Sequence, residues 1–269
     1  MSNPKQSIFA AAHGCLMQAD VAQKRLLTRQ TQQAWLKGDL SLESEAPIMP
    51  VTVPGRPARP ILVPPKKCPK RSMNSIPGRA ALIHALCHIE FNAINLAWDA
   101  VYRFQTMPRE FYSDWIKVAV EEAYHFGLLR DHLRGMGYDY GDFAAHNGLW
   151  EMALKTDFDP MVRMALVPRV LEARGLDVTP AIMERLAGAG EQAAVDILKI
   201  IYRDEIGHVE IGSRWFRHLC GERGLEPQQT FSTLIESYMI GRLKGPFDLE
   251  IRRQAGFSEA ELEYLDGVG

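Results

Sequence analysis

The chain is poor in several things, and each shortage removes a class of protein. Its four cysteines, Cys15, Cys68, Cys87 and Cys220, form no Cys-x-x-Cys pair. Neither a thiolate zinc site nor a disulfide framework is therefore expected, and a reducing compartment, the cytoplasm, is the expected location. Net charge is scarce too: 31 basic and 33 acidic residues leave −2, too little of either sign for a nucleic-acid backbone or an anionic membrane to be the main partner. No apolar run approaches the ~20 residues of a spanning helix. The start, "MSNPKQSIFAAAHGCLMQADVAQ", carries one lysine and an apolar patch interrupted by His13, Gln18 and Asp20, which is poor material for a signal peptide. Alternating β-branched runs are few as well, so a sheet protein is not expected. What remains is an ordinary globular composition, 46% hydrophobic over 269 residues, enough for one large domain or two small ones.

Three zones follow along the chain: 1–77, 78–245 and 246–269. Residues 5–38 place Ile8, Ala12, Cys15, Leu16, Ala19, Ala22, Leu26 and Leu27 near helical spacing and end on Gly38, which predicts one N-terminal helix. From Pro47 to Pro77 proline is so frequent that the chain should be extended, an arm wrapping the main domain. The cluster Lys66, Lys67, Lys70 and Arg71 in that arm reads as a solvated face. Periodicity then predicts four long helices, at 78–104, 109–136, 160–174 and 189–221. Gly135, Gly137 and Gly175 act as stops, and Asp159–Pro160 as a start. A short helix between the second and third, a helix near 226–242 and a turn capped by Ser258 and Glu261 complete an all-α fold.

On the last long helix, Glu205 and His208 fall in the middle of a stripe made by Ala194, Ile197, Leu198, Ile201, Gly212, Trp215, Phe216 and Leu219. Glu122 and His125 do the same among Trp115, Val118, Ala119, Leu129, Leu133 and Met136. Glu90 lies on the stripe Ile83, Leu86, Ala93, Ile94, Ala97 and Phe104, and Glu172 is in line with Met161, Met164, Ala165 and Leu171. The spacing repeats: 32 positions (122 − 90) against 33 (205 − 172). Two helical hairpins, each with one lone Glu and one Glu-x-x-His, would be related by a pseudo-twofold axis. Four carboxylates in a low-dielectric core cannot all ionise without opposing charge. Divalent or trivalent metal supplies it, and carboxylate with imidazole suits iron or manganese. The set of two Glu and two Glu-x-x-His is the known pattern of di-iron and di-manganese carboxylate bundles.

With these residues the chain resembles the ferritin-like di-iron-carboxylate superfamily over roughly residues 78–221. The stretches "HALCHIEFNAINLAWDAVYRF", "EEAYHFGLLRDHL" and "RDEIGHVEIG" are most similar to a bacterial family of ferritin-like proteins of unassigned function, and more distantly to the tRNA hydroxylases. The resemblance implies a ferritin-like four-helix bundle carrying an extra N-terminal helix, the proline-rich arm and C-terminal helices. It implies Glu90, Glu122, His125, Glu172, Glu205 and His208 as ligands of two iron ions, or of manganese. Asp204 would orient the second ring nitrogen of His125, and Glu121 that of His208. The implied activity is an O2-activating oxidoreductase of hydroxylase or oxidase type on an organic or nucleotide substrate, tRNA included. Ferroxidase or iron-handling chemistry, and a metal-binding bundle without catalysis, stand as alternatives. The extra N-terminal segments argue for a monomer or small homo-oligomer over a 24-subunit cage, and no membrane is implied.

Several residues have plainer readings. Glu172 sits near the end of a short helix as drawn, where Arg169 or Arg174 could pair with it, and Pro168 interrupts the helix at a cost of ~3 kcal/mol. His84 and His88 are four apart, but roughly 120–160° from Glu90 around the helix, and are expected to be satisfied within the fold. Glu210 should be solvated, and Tyr124 and Tyr202 should serve packing.

Overall fold

The computed structural model describes residues 5–44, 46–239, 243 and 245–268. The protein is all-α, as the periodicity implied, apart from two strands of two residues each among the described residues, and is consistent with a helical bundle. It divides into two units, Met1–Glu151 and Met152–Gly269.

In the first unit the predicted N-terminal helix is two helices, α1 (Ile8–Met17) and α2 (Val21–Leu36). The break is chemical: Gln18 turns to extended backbone, and the Asp20 carboxylate accepts from Gln23 N at 2.8 Å, capping a new helix. An aspartate offers this alternative to a continuing helix wherever the backbone can turn. Strands β1 (Gln6–Ser7) and β2 (Leu40–Ser41) pair in parallel and tie the far ends of this segment together, Gln6 opposite Leu40. Lys24 of α2 is fully buried. Its ammonium donates to Cys15 O at 2.8 Å, Leu16 O at 2.9 Å and Asn95 Oδ1 at 2.6 Å, using all three of its hydrogens on the last turn of α1 and the neighbouring helix.

The arm is extended, as expected, with a 3₁₀ turn at Pro65–Lys67. It is held by backbone: Gly55 N donates to Leu16 O at 2.9 Å, and Trp150 Nε1 to Thr52 O at 3.0 Å. A Cβ on Gly55 would fall 2.1 Å from Met17 O, so only glycine permits this approach. Helices α3 (Ile76–Arg103) and α4 (Arg109–Gly135) then form the main hairpin. Ser75 starts α3, its hydroxyl accepting from Gly78 N at 3.3 Å. Phe111, Ile116, Phe126 and Leu129 of α4 are at most 1% exposed, and each large apolar side chain buried this way stabilises the hairpin by ~1.5–3 kcal/mol. Contrary to the expectation from sequence, α3 is long and apolar enough to cross a membrane, but 83% of its most apolar window is buried inside the protein, as a core helix requires. A helix α5 (Gly148–Lys155) follows.

In the second unit the predicted helix 160–174 does not stop at Gly175. It runs as α6 (Pro160–Leu166), a π-helical segment Val167–Glu172, and α7 (Ala173–Gly188). Pro168 cannot donate to the regular ladder, and the wider π turn absorbs it without ending the helix. Gly175 consequently lies in a helix interior. Helix α8 (Gln192–Glu222) packs against α6, the π segment and α7. Where they cross, a Cβ on Gly212 would fall 2.4 Å from Pro168 Cγ, so the glycine is what lets α8 lie against the rigid proline ring. Helices α9 (Pro227–Tyr238), α10 (Leu249–Gln254) and α11 (Glu259–Val268) follow. The expected end of α9 at 242 lies outside the described residues. The expected C-terminal turn is a helix, started as predicted by Ser258 and Glu261, whose carboxylate accepts from Ser258 N at 2.9 Å.

That same carboxylate also meets Arg169 of the π segment at 2.7 Å, with both side chains buried. The Arg169 guanidinium donates to Ser213 Oγ at 3.2 Å and lies 4.2–4.7 Å from the ring centres of Phe216, Phe231 and Phe257. Cation–π contact thus replaces part of the water it gave up. Glu261→Ala would strand a buried cation and lose a helix cap together, and should destabilise the protein by ~3–5 kcal/mol. Urea unfolding followed by circular dichroism measures it; a loss below about 1 kcal/mol would show that the pair is not a structural lock.

Candidate metal centre

Glu90 stands in the middle of α3, on the face turned to α4. Glu122 and His125, one helical turn apart on α4, face back. His125 Nδ1 lies 3.4 Å from Glu90 Oε2 and 3.6 Å from Glu122 Oε2. The three residues are 5%, 1% and 0% exposed, and each offers a ligand atom within 4.8 Å of the others. Such a buried Glu/His cluster can hold a metal ion, and its oxygen and imidazole donors suit a hard or borderline cation.

The electrostatics agree. Burial first, and then the charge of Glu122, hold the Glu90 carboxyl well above the ordinary carboxylate range. Burial alone would lower the His125 pKa, but hydrogen bonding to Glu122 and Glu90 and their charges override it and raise it to about 11. The cluster as it stands holds protons where a cation of higher charge could sit.

In the second unit Glu205 and His208 repeat the arrangement on α8. His208 Nδ1 is 3.6 Å from Glu205 Oε1, with the imidazole 1% and the carboxylate 15% exposed. The two Glu-x-x-His pairs therefore share one local geometry. Glu172 is half-buried and closes the π segment. Of the two arginines near it in sequence, Arg169 meets Glu261 and Arg174 meets Asp177 at 3.5 Å. Its position near a helix end is corrected as well: with α7 continuing to Gly188, no C-terminal dipole opposes a carboxylate there.

Asp204 accepts from Arg203 Nε at 2.9 Å, and Glu121 lies 3.8 Å from Lys117 Nζ. His88 is satisfied within the fold, as expected, whereas His84 is satisfied at one ring nitrogen and its buried Nδ1 has no hydrogen-bond partner among the described residues. His84 Nε2 accepts from Gly141 N at 3.0 Å, while His88 has its Nδ1 2.8 Å from Tyr140 Oη and its Nε2 3.1 Å from His146 O. Burial brings both imidazoles down to a pKa of about 4. Tyr124 departs from the packing role expected of it, being 43% exposed. Glu210 is half-exposed and sits 3.7 Å from Arg214. The four cysteines are free. Sequence reading missed Lys24 and the Arg169–Glu261 pair. A lone Lys or Arg is ordinarily exposed, and nothing local marks one that a distant partner will bury.

Metal uptake should tighten as pH rises. His125 has a raised pKa and is protonated below it, so a divalent ion must displace that proton, and affinity should climb up to ~10-fold per pH unit for each proton released. Calorimetric titration with Mn2+ at pH 6, 7 and 8, in buffers of different ionisation enthalpy, counts the protons. Affinity independent of pH would remove the histidine from the ligand set.

Comparison with known proteins bears on what the chain is. The profile of the family described as "Protein of unknown function (DUF455)" matches residues 17–263. A relative in Haemophilus influenzae, called "Uncharacterized protein", is 51% identical over 216 residues, 78% of this chain and 75% of the relative. No solved structure matches. A match across nearly the whole chain, supported by that identity, shows that the protein belongs to the DUF455 family.

Proposed function

We propose that the two Glu-x-x-His hairpins close on one pair of metal ions, and that the chain is a di-iron-carboxylate oxidoreductase built on a ferritin-like bundle within residues 78–245. The observation that carries this is the repeat itself: two Glu-x-x-His pairs, each with a buried imidazole whose Nδ1 lies 3.6 Å from its own carboxylate, and each preceded by a lone Glu at nearly the same interval. Glu90, Glu122, His125, Glu172, Glu205 and His208 would hold the ions. Four carboxylates carry four negative charges, which two divalent cations neutralise. Iron is the first choice, with manganese accommodated by the same donors.

An iron pair held by these residues would, when bound and reduced, supply the electrons for O2-dependent hydroxylation or oxidation of an organic or nucleotide substrate. The protein's own residues would do the rest. The burial of Glu90 and Glu122 on one hairpin, and of His208 on the other, would help to exclude water. Asp204 and Glu121 would fix the tautomer and orientation of the imidazoles of the opposite hairpin. Four free cysteines fit a reducing cytoplasm. A tRNA substrate rests on the resemblance alone, and a monomer or small homo-oligomer on the segments that flank the bundle.

Protein purified without chelator should carry two iron or manganese ions per chain, and Glu122→Ala and Glu205→Ala should each lose most of them. Elemental analysis with a folding check by circular dichroism decides; full metal content in both variants would sink the assignment. Ferrous protein that consumes O2, with no 24-subunit mass on a sizing column, is expected of the oxidoreductase. A 24-subunit particle accumulating ferric iron would mark an iron-storage protein instead.

A further inference from the structure

A second site lies away from the carboxylates. Between the arm and α3 a cleft of about 70 Å³ is lined by Cys68, Arg71, His88, Asn92 and His146, among others. That is several times the ~10–15 Å³ that one water needs on this measure, a size that suits a compact polar group.

Its charge is one-sided. Residues 46–89 contain seven cations, Arg56, Arg59, Lys66, Lys67, Lys70, Arg71 and Arg79, and no Asp or Glu, in a chain whose net charge is −2. Lys66, Lys67, Lys70 and Arg71 are exposed. Among the described residues none of the four forms an ion pair. Cys68, Pro69 and Arg71 of their segment line the cleft, so the cluster that reads as a plain solvated face in the sequence has one member on a concave surface and three close to it in the chain. The floor adds donors and no charge. His146 Nδ1 accepts from Gly148 N at 3.2 Å, which places the ring proton of the neutral imidazole on Nε2. Burial, and then the Arg71 charge, hold His146 below the ordinary imidazole range, Glu151 acting in the opposite sense. Arg71 and His146 both line the cleft, the guanidinium near enough for its charge to act on the ring.

We propose that this cleft binds the phosphate group of a small phosphorylated ligand, with Arg71 and His146 Nε2–H as its donors and Lys66, Lys67 and Lys70 as the charged rim. A dianion fits this density of cations better than a carboxylate does, and a planar guanidinium can grip two phosphate oxygens at once. The site is independent of the metal assignment.

Calorimetry on the full-length protein tests it with inorganic phosphate, glycerol 3-phosphate and acetate. Phosphate or the ester should bind with Kd below about 1 mM, and acetate at least tenfold more weakly. A preference for the ester indicates an organic ligand, and equal binding a free phosphate. Arg71→Ala and His146→Ala should each weaken binding at least tenfold, Arg71→Lys less. Arg59→Ala, an exposed cation of the same arm outside the cleft, should change it less than twofold. Bound phosphate should also raise the pH at which the His146 ring titrates by NMR. Absence of saturable phosphate binding, or equal losses from Arg59→Ala and Arg71→Ala, overturns the proposal. So does binding of an RNA oligonucleotide that persists in Arg71→Ala while phosphate does not bind, since the basic rim would then be a nucleic-acid surface.

Discussion

A charge taken out of water must meet an opposite charge or a full set of hydrogen bonds, and this protein is organised around that demand. Wherever it buries an ionic group it builds an answer beside it. Lys24 has two helix-end carbonyls and an amide oxygen, and Arg103 has Asp99 at 2.6 Å on the same helix. Arg252 has Asp177 at 2.7 Å, and Arg169 has Glu261 and three aromatic faces. Glu90, Glu122 and His125 differ in kind: two carboxylates share one imidazole, and neutrality is reached only by retaining protons. Buried ion pairs add little net stability, so a cluster balanced this poorly points to use.

The same demand explains how the second unit is shaped. Pro168 forces the helix off its regular ladder, and the π turn that results turns Arg169 into the core. There Glu261 of the last helix reaches it. Gly212 lets α8 lie against the proline ring. Glu172 is set at the end of that π segment, so its direction depends on a proline, a glycine and a carboxylate from three separate stretches of chain. Under the proposed assignment of Glu172 as a ligand, the C-terminal helix would support the metal site although it contributes no ligand.

The legible parts of the molecule were those governed by local rules. The all-helical class, the hairpin of α3 and α4, the extended arm and the Ser258–Glu261 cap follow from periodicity, proline content and capping chemistry. Glu90, Glu122, His125 and His208 were recognisable because a polar residue centred on an apolar stripe has few explanations. The misreadings share one cause. Asp20 was read as a residue within a helix when it starts a second one, and Gly175 as a stop when the helix passes through it. In both cases the local signal was compatible with two outcomes, and packing chose between them. Lys66, Lys67, Lys70 and Arg71 were read as solvent-facing, and so they are; the concave surface beside them has no counterpart in the sequence.

By itself the sequence determined which residues had to be buried and with what periodicity, because hydrophobic spacing is a property of neighbours three and four positions apart. That was enough to place carboxylates and imidazoles on the inner faces of long helices and to show that the arrangement occurs twice. The tertiary structure decided which groups answer one another: Glu90 with His125, Arg169 with Glu261, Lys24 with the end of α1. Those pairings span 35, 92 and 9 positions (125 − 90; 261 − 169; 24 − 15). Coulomb and hydrogen-bond energies depend on separation in space, which a single sequence does not encode.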